Sequence, residues 1–234
     1  MLRVTLLALF VAQASAFYRD PLPPPPEDQL ALLAARPKAD DQGQCVDLKL
    51  NYCQGRFSES LGLDATVGWR QADVLLKRLQ ELTSANETSL LTTCAKRAAF
   101  YQCLGEQYYS CVSLFGLMPK AKNRTEVNMA YTYVDTLRSG DFLCNSGFEE
   151  VVNQYECLLN APTLPQFKTC VSQYQTNLNT MPFCDAVNTA GLCFNGAYAA
   201  SCTRDPRGAG WFGCEDFMQS YLDLCIPPPR CFVH

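Results

Sequence analysis

From Cys45 onward apolar residues return every three or four positions rather than every second one, the spacing of one face of an α-helix. Ala72, Leu75, Leu76, Leu79 and Leu82 make one such face, and Val127, Ala130, Tyr131, Val134 and Leu137 another. Two further helices carry a capping box ahead of the apolar face. Ser146 and Glu149 precede Val151, Val152, Tyr155, Leu158 and Leu159, while Thr163 and Gln166 precede Phe167, Cys170, Val171 and Tyr174. Cys214, Phe217, Met218, Tyr221, Leu224 and Cys225 repeat the pattern. No run of alternating β-branched residues competes with it. The expected fold class is all-α, a disulfide-cross-linked helical bundle.

The start of the chain reads differently. Residues 1–16 carry Arg3, an apolar run from Val4 to Val11 and the small residues Ala14-Ser15-Ala16, the features of a secretory signal peptide cleaved before Phe17. The run is well short of the roughly 20 apolar residues that span a bilayer, and no later stretch is longer, so no membrane span is expected. Residues 17–44 read as a proline-rich leader. Pro21-Leu22-Pro23-Pro24-Pro25-Pro26 predicts polyproline II, with a short helix over 27–36 behind it, and the whole leader is expected outside the packed body as a mobile spacer.

Residues 45–234 are then the disulfide-rich helical domain. Its cysteines, with an even total of 14, predict seven disulfides in an oxidising compartment: Cys45, Cys53, Cys94, Cys103, Cys111, Cys144, Cys157, Cys170, Cys184, Cys193, Cys202, Cys214, Cys225 and Cys231. Spacing leaves the connectivity open but constrains it. Helical residues nine apart lie about 13 Å apart along the axis, so Cys94 and Cys103, or Cys193 and Cys202, must each staple two different neighbours if they share a helix. Five cysteines precede the stretch between Cys111 and Cys144 and nine follow it, so at least one bridge crosses it. Cys45, Cys94 and Cys103 recur as Cys144, Cys193 and Cys202 at an offset of 99 residues. The offset is open to two readings, coincidence or a duplication into halves 45–143 and 144–231 packed as one unit. The six cysteines from Cys184 to Cys231 are expected to form the stability core.

Charge and side-chain chemistry narrow the function classes. The net charge of −4, or −5 once Arg3 is removed, gives no basic face for nucleic acid. His234 is the one histidine and the last residue, which removes Ser-His-Asp, Cys-His and most zinc mechanisms. The carboxylate pairs Asp40-Asp41, Glu149-Glu150 and Glu215-Asp216 are adjacent in sequence and diverge on a helix, so they read as solvated faces. No catalytic, metal or cofactor residue is assigned, and the chain is not expected to be an enzyme. Asn86-Glu87-Thr88 and Asn123-Arg124-Thr125 are N-glycosylation sequons between predicted helices. Lys120, Lys122 and Arg124 form a small basic loop, Ser139-Gly140-Asp141 and Ser146-Gly147 resemble glycosaminoglycan attachment dipeptides, and aromatics cluster at Phe100-Tyr101, Tyr108-Tyr109, Phe115, Tyr131-Tyr133 and Trp211-Phe212.

Thr93-Cys94-Ala95-Lys96-Arg97-Ala98-Ala99-Phe100-Tyr101-Gln102-Cys103 and the segment from Gly210 to Cys231 resemble secreted, all-helical, cysteine-rich invertebrate proteins, notably nematode families of unknown function. More distantly the chain is similar in style to the helical cysteine-rich domains of receptors for glial-derived growth factors. The resemblance implies a secreted helical scaffold and assigns no functional residue. The expected function is a non-enzymatic extracellular binding or matrix-associated protein, its partner an extracellular protein or glycan. The alternative is a carrier of a small apolar ligand, with the aromatics lining a cavity instead of filling a core.

Overall fold

The computed structural model describes Phe17, Pro25, Pro26, Gln29, residues 45–225 and Cys231. Residues 1–16, most of the leader including Asp40-Asp41, and His234 lie outside the described residues. The described chain is all-α, with no strand. Its helices are α1 Asp47–Ser60, α2 Ala72–Ala85, α3 Glu87–Leu104, α4 Tyr108–Cys111, α5 Leu114–Leu117, α6 Arg124–Cys144, α7 Phe148–Asn160, α8 Pro165–Asn177, α9 Phe183–Ser201 and α10 Pro206–Gln219.

Side-chain caps explain where several of these start. Asn86, Ser113, Asn123 and Asp205 each accept a hydrogen bond from the backbone N–H three residues on, satisfying one of the donors a helix leaves unmatched. Gly105, at φ +57°, ends α3 in a conformation that costs other residues more. The two expected capping boxes do not form. α7 starts behind Gly147, and a Cβ there would stand 2.8 Å from the Phe142 ring, so close packing rather than capping sets that junction. α8 starts at Pro165, whose missing N–H suits a first helical position, and Thr163 Oγ1 donates to the Asn160 carbonyl at 2.7 Å instead.

α6 is the axis of the fold, packing against α2, α3 and α10. Its predicted face of Ala130, Tyr131, Val134 and Leu137 is buried, but so are Thr132, Tyr133, Thr136, Ser139 and Gly140 around the rest of the helix. Two of the polar members find partners indoors: Thr136 Oγ1 donates to the Thr132 carbonyl at 2.7 Å, and the Tyr133 hydroxyl donates to Gln54 Oε1 of α1. On one side α1, α2 and α3 close over α6; on the other α9 and α10 pack together, with α8 against α9. Small residues allow the α9–α10 contact. A Cβ on Gly213 of α10 would fall 2.2 Å from the Tyr198 ring of α9, and one on Gly191 of α9 would fall 2.2 Å from Met218 Cε.

All 14 cysteines are paired. Cys45–Cys111 and Cys53–Cys103 tie α1 to α4 and α3, Cys94–Cys144 ties α3 to α6, and Cys157–Cys202 and Cys170–Cys193 tie α7 and α8 to α9. Cys184–Cys225 and Cys214–Cys231 secure the C-terminal segment. Cys94 and Cys103 do reach two different helices, as do Cys193 and Cys202, and one bridge, Cys94–Cys144, crosses the stretch between Cys111 and Cys144. The 99-residue offset is not accompanied by repeated pairing, since Cys94 bonds forward to Cys144 and Cys193 bonds back to Cys170. The helix expected through Cys225 stops at Gln219, and Tyr221, Leu224 and Cys225 are buried from a following turn.

The leader corrects another expectation. Phe17 is 5% exposed, with its ring centroid 5.1 Å from that of Tyr155 on α7, and Pro25 is buried as well. At these points the leader belongs to the packed body. Of the short helix expected over 27–36, Gln29 is described and is helical.

Candidate functional site

α3 and α6 run antiparallel and are clamped at successive turns. Cys94 bonds Cys144 with the Cα atoms 5.4 Å apart, and one turn along each helix Arg97 Nη2 forms an ion pair with Asp141 Oδ1. The Tyr108 hydroxyl donates to the same oxygen at 2.7 Å. The Arg97 guanidinium carbon lies 5.7 Å from the Tyr108 ring centroid and 5.9 Å from that of Tyr101. A second ion pair stands beside the first: Arg138 Nη2 meets Asp223 Oδ1 at 2.7 Å, and Asp223 Oδ2 accepts from the Leu114 N–H at 3.1 Å.

Over this floor opens a recess of about 640 Å³. Tyr101 and Tyr109 form one wall with centroids 6.1 Å apart and planes at 72°, and they are 37% and 57% exposed. Val112, Phe142 and Leu222 supply apolar lining; Gln102, Asn145, Ser146 and Gln219 supply polar lining. Arg97 is 7% exposed, and its Nε–H is buried without an acceptor among the described residues.

Burial is the largest influence on the Arg97–Asp141 pair. It works against the charge on Arg97, but the Asp141 carboxylate and Tyr108 together more than compensate and hold the guanidinium above its ordinary value. It also pushes the Asp141 carboxyl up, and Arg97 and the Tyr108 hydroxyl recover only part of that rise. Burial raises Tyr108 well above the usual phenol range and raises Tyr109 as well.

The residues singled out in the sequence fall mostly elsewhere. Asn86 and Asn123 are the N-caps of α3 and α6, exposed and extended, their Oδ1 atoms accepting from Ser89 N at 2.8 Å and Glu126 N at 2.9 Å. The basic loop is partly neutralised, because Lys120 pairs with Asp47. Glu149 is exposed; Glu150 packs over Gly208 and accepts from Gln154 Nε2 at 3.1 Å. Asp216 is buried, while Glu215 Oε1 accepts from the Cys231 N–H at 3.0 Å. Ser139 is buried inside α6 and presents nothing to a glycosyltransferase, whereas Ser146 is exposed. Among the aromatics, Phe100 stacks on Phe57 with centroids 4.9 Å apart, and Tyr131 and Tyr133 are buried; these rings fill the core. Only part of the predicted aromatic set, Tyr101, Tyr108 and Tyr109, reaches the recess.

Arg97 and Asp141 were not predicted. Each had a local signal: Arg97 stands four residues before Tyr101 within a cysteine-bounded helix, and Asp141 lies three residues before Cys144 on the extension of an apolar helix face. Among the described residues no group of three or more histidine, cysteine, aspartate or glutamate side chains is placed to hold a metal ion, and no helix is long and apolar enough to cross a membrane. No protein-family model, curated protein or solved structure matches the chain.

Proposed function

We propose that the chain is exported behind residues 1–16 and acts as a non-enzymatic extracellular binding protein whose ligand docks in the recess over Arg97 and Asp141. One observation carries the reading. The recess is built on a helix pair fixed by a disulfide and a buried ion pair at successive turns, which pre-organises the site. Seven bridges fit an oxidising compartment, and the resemblance to secreted cysteine-rich helical proteins supports the same setting.

N-glycans at Asn86 and Asn123 belong to this proposal. Capping uses Oδ1, so the Nδ2 that receives the sugar is not consumed by the cap. Asn86 lies 11 residues before Arg97, about 16 Å along α3, and Asn123 lies 18 before Asp141, about 27 Å along α6. Because the helices are antiparallel, the two glycans would mark opposite ends of the pair and leave the recess between them open. The second reading, a carrier of a small apolar ligand, draws support from Val112, Phe142 and Leu222; the charged floor weighs against it.

Native mass spectrometry of the protein taken from its own secreting tissue tests the proposal. A small molecule retained in stoichiometric amount, and lost when Ala98 at the recess is replaced by Trp, supports recess binding. A retained lipid that survives Ala98→Trp refutes it in favour of a carrier site elsewhere.

A further inference from the structure

We infer that the recess takes a neutral saccharide, one or two pyranose rings in size; this rests on the reading of the recess as the binding site. The charges decide against an ion. Two guanidinium groups and one carboxylate line the site, and both guanidinium groups are already paired, Arg97 with Asp141 and Arg138 with Asp223 outside the lining, so an ionic ligand would give up its hydration and meet no unpaired opposite charge. A wholly apolar ligand fails against the same lining, because it would cut the Asp141 carboxylate and the amides of Gln102, Asn145 and Gln219 off from water without partners.

What the recess offers instead is hydrogen bonding of both kinds. Arg97 Nη2 and the Tyr108 hydroxyl both converge on Asp141 Oδ1, leaving Oδ2 with no donor among the described residues and so an acceptor in the lining. A hydroxyl group accepts and donates at once, and vicinal hydroxyls on a ring present that pairing at a fixed spacing. Amide side chains at Gln102, Asn145 and Gln219 extend the same two-way hydrogen bonding to the upper lining. The exposed wall of Tyr101 and Tyr109 then gives flat rings against which the C–H face of a pyranose can lie, with phenol hydroxyls at the edge. The volume of about 640 Å³ is in the range of pockets that hold small ligands.

The test is saturation-transfer NMR on the secreted full-length chain with Asn86→Asp and Asn123→Asp, so that its own sugars contribute nothing. The probes are lactose, cellobiose and chitobiose, with heparin disaccharide and octanoate alongside. At least one neutral disaccharide is expected to receive saturation, with affinity reduced tenfold or more by Tyr109→Ala and abolished by Ala98→Trp. Circular dichroism checks that both variants keep their helix content. If heparin disaccharide or octanoate binds and is lost in Ala98→Trp while no neutral sugar does, the saccharide inference is overturned and recess binding survives. If a neutral sugar binds equally well to wild type and both variants, its site lies elsewhere and the inference falls. If none of the five probes receives saturation, the inference falls as well, and native mass spectrometry decides on recess binding separately.

Discussion

Replacing Cys94 and Cys144 together by Ser is expected to cost about 4 kcal/mol of folding free energy, from the loss of chain entropy that a loop of this length imposes on the unfolded state. The sequence separation is 50, and residues 112–143, which include nearly all of α6, lie inside no other disulfide loop. The contribution is therefore shared with neighbouring bridges only over residues 94–111, whereas Cys53–Cys103 lies wholly within Cys45–Cys111. The Arg97–Asp141 pair that remains does not substitute, because desolvation offsets most of a buried pair's attraction. Against a total of roughly 5 to 15 kcal/mol the loss is large, and it corresponds to about 8 to 16 °C in Tm for a chain of this size. The assay is equilibrium urea unfolding without reductant, followed by far-ultraviolet circular dichroism. The slope of free energy against urea should also rise, since the freed unfolded chain exposes more surface. The same reasoning gives about 3 kcal/mol for Cys214–Cys231, whose separation is 17, and about 4 kcal/mol for Cys184–Cys225, whose separation is 41, so loop entropy does not set the C-terminal lattice above Cys94–Cys144. A loss under about 1 kcal/mol with an unchanged slope, or a Cys214→Ser/Cys231→Ser variant that is the weaker of the two, would refute the argument from loop entropy.

Four further outcomes are expected. Gly213→Ala should lose about 1 to 3 kcal/mol by forcing α10 off Tyr198, whereas Gly196→Ala, whose Cβ would meet nothing within 4 Å, should be neutral or stabilising in the same denaturation assay. Phe17→Ala should lose about 3 kcal/mol, and deleting residues 17–44 at least as much, measured by Tm; an unchanged Tm would return the leader to the role of spacer. Asp141 has a native pKa above its ordinary 3.8, so the folded state binds that proton more tightly than the unfolded one. Its contribution to stability is therefore present at and below the ordinary value and is lost as pH rises through the raised one; Asp141→Asn should flatten that part of a stability–pH curve, and an unaltered curve contradicts the assignment. Asn86→Asp should abolish the proposed glycan, read as lost sensitivity to an amidase that removes N-glycans, while keeping Tm; Asn86→Ala should lose about 1 kcal/mol more, because only Asp retains the cap.

Apolar spacing revealed the helices well, because each helix buries at least one face and those positions carry Leu, Val and aromatic residues. It concealed that α6 from Ala130 onward is buried around most of its girth. Thr132 and Thr136 read as a wetted face, yet Thr136 Oγ1 satisfies itself on the Thr132 carbonyl, and such residues can enter a dry interior at little cost. Capping boxes misled at Ser146 and Thr163 because Gly147 and Pro165 impose the junctions through packing and a fixed φ. Cysteine spacing correctly limited which bridges were possible, but the pairing itself depends on which helices become neighbours. The recess was illegible for the same reason: Arg97 and Asp141 are 44 residues apart, and nothing local marks them as partners until α3 and α6 cross.

The bridge at the centre of the molecule also sets a schedule for its making. Under the export proposed above, the chain would deliver Cys45, Cys53, Cys94, Cys103 and Cys111 first, an odd set. Two bridges close within that set, but Cys94 waits for Cys144, and synthesis at about 5 to 20 residues per second makes the wait a matter of seconds. During that interval Cys94 is a lone thiol on the same helix as Cys103, able to attack a finished bridge and exchange with it. Faithful assembly then depends on α6 arriving and docking faster than the thiol scrambles its neighbours, so slow translation or a weakened α6 would be felt first as mispaired product rather than as a less stable one.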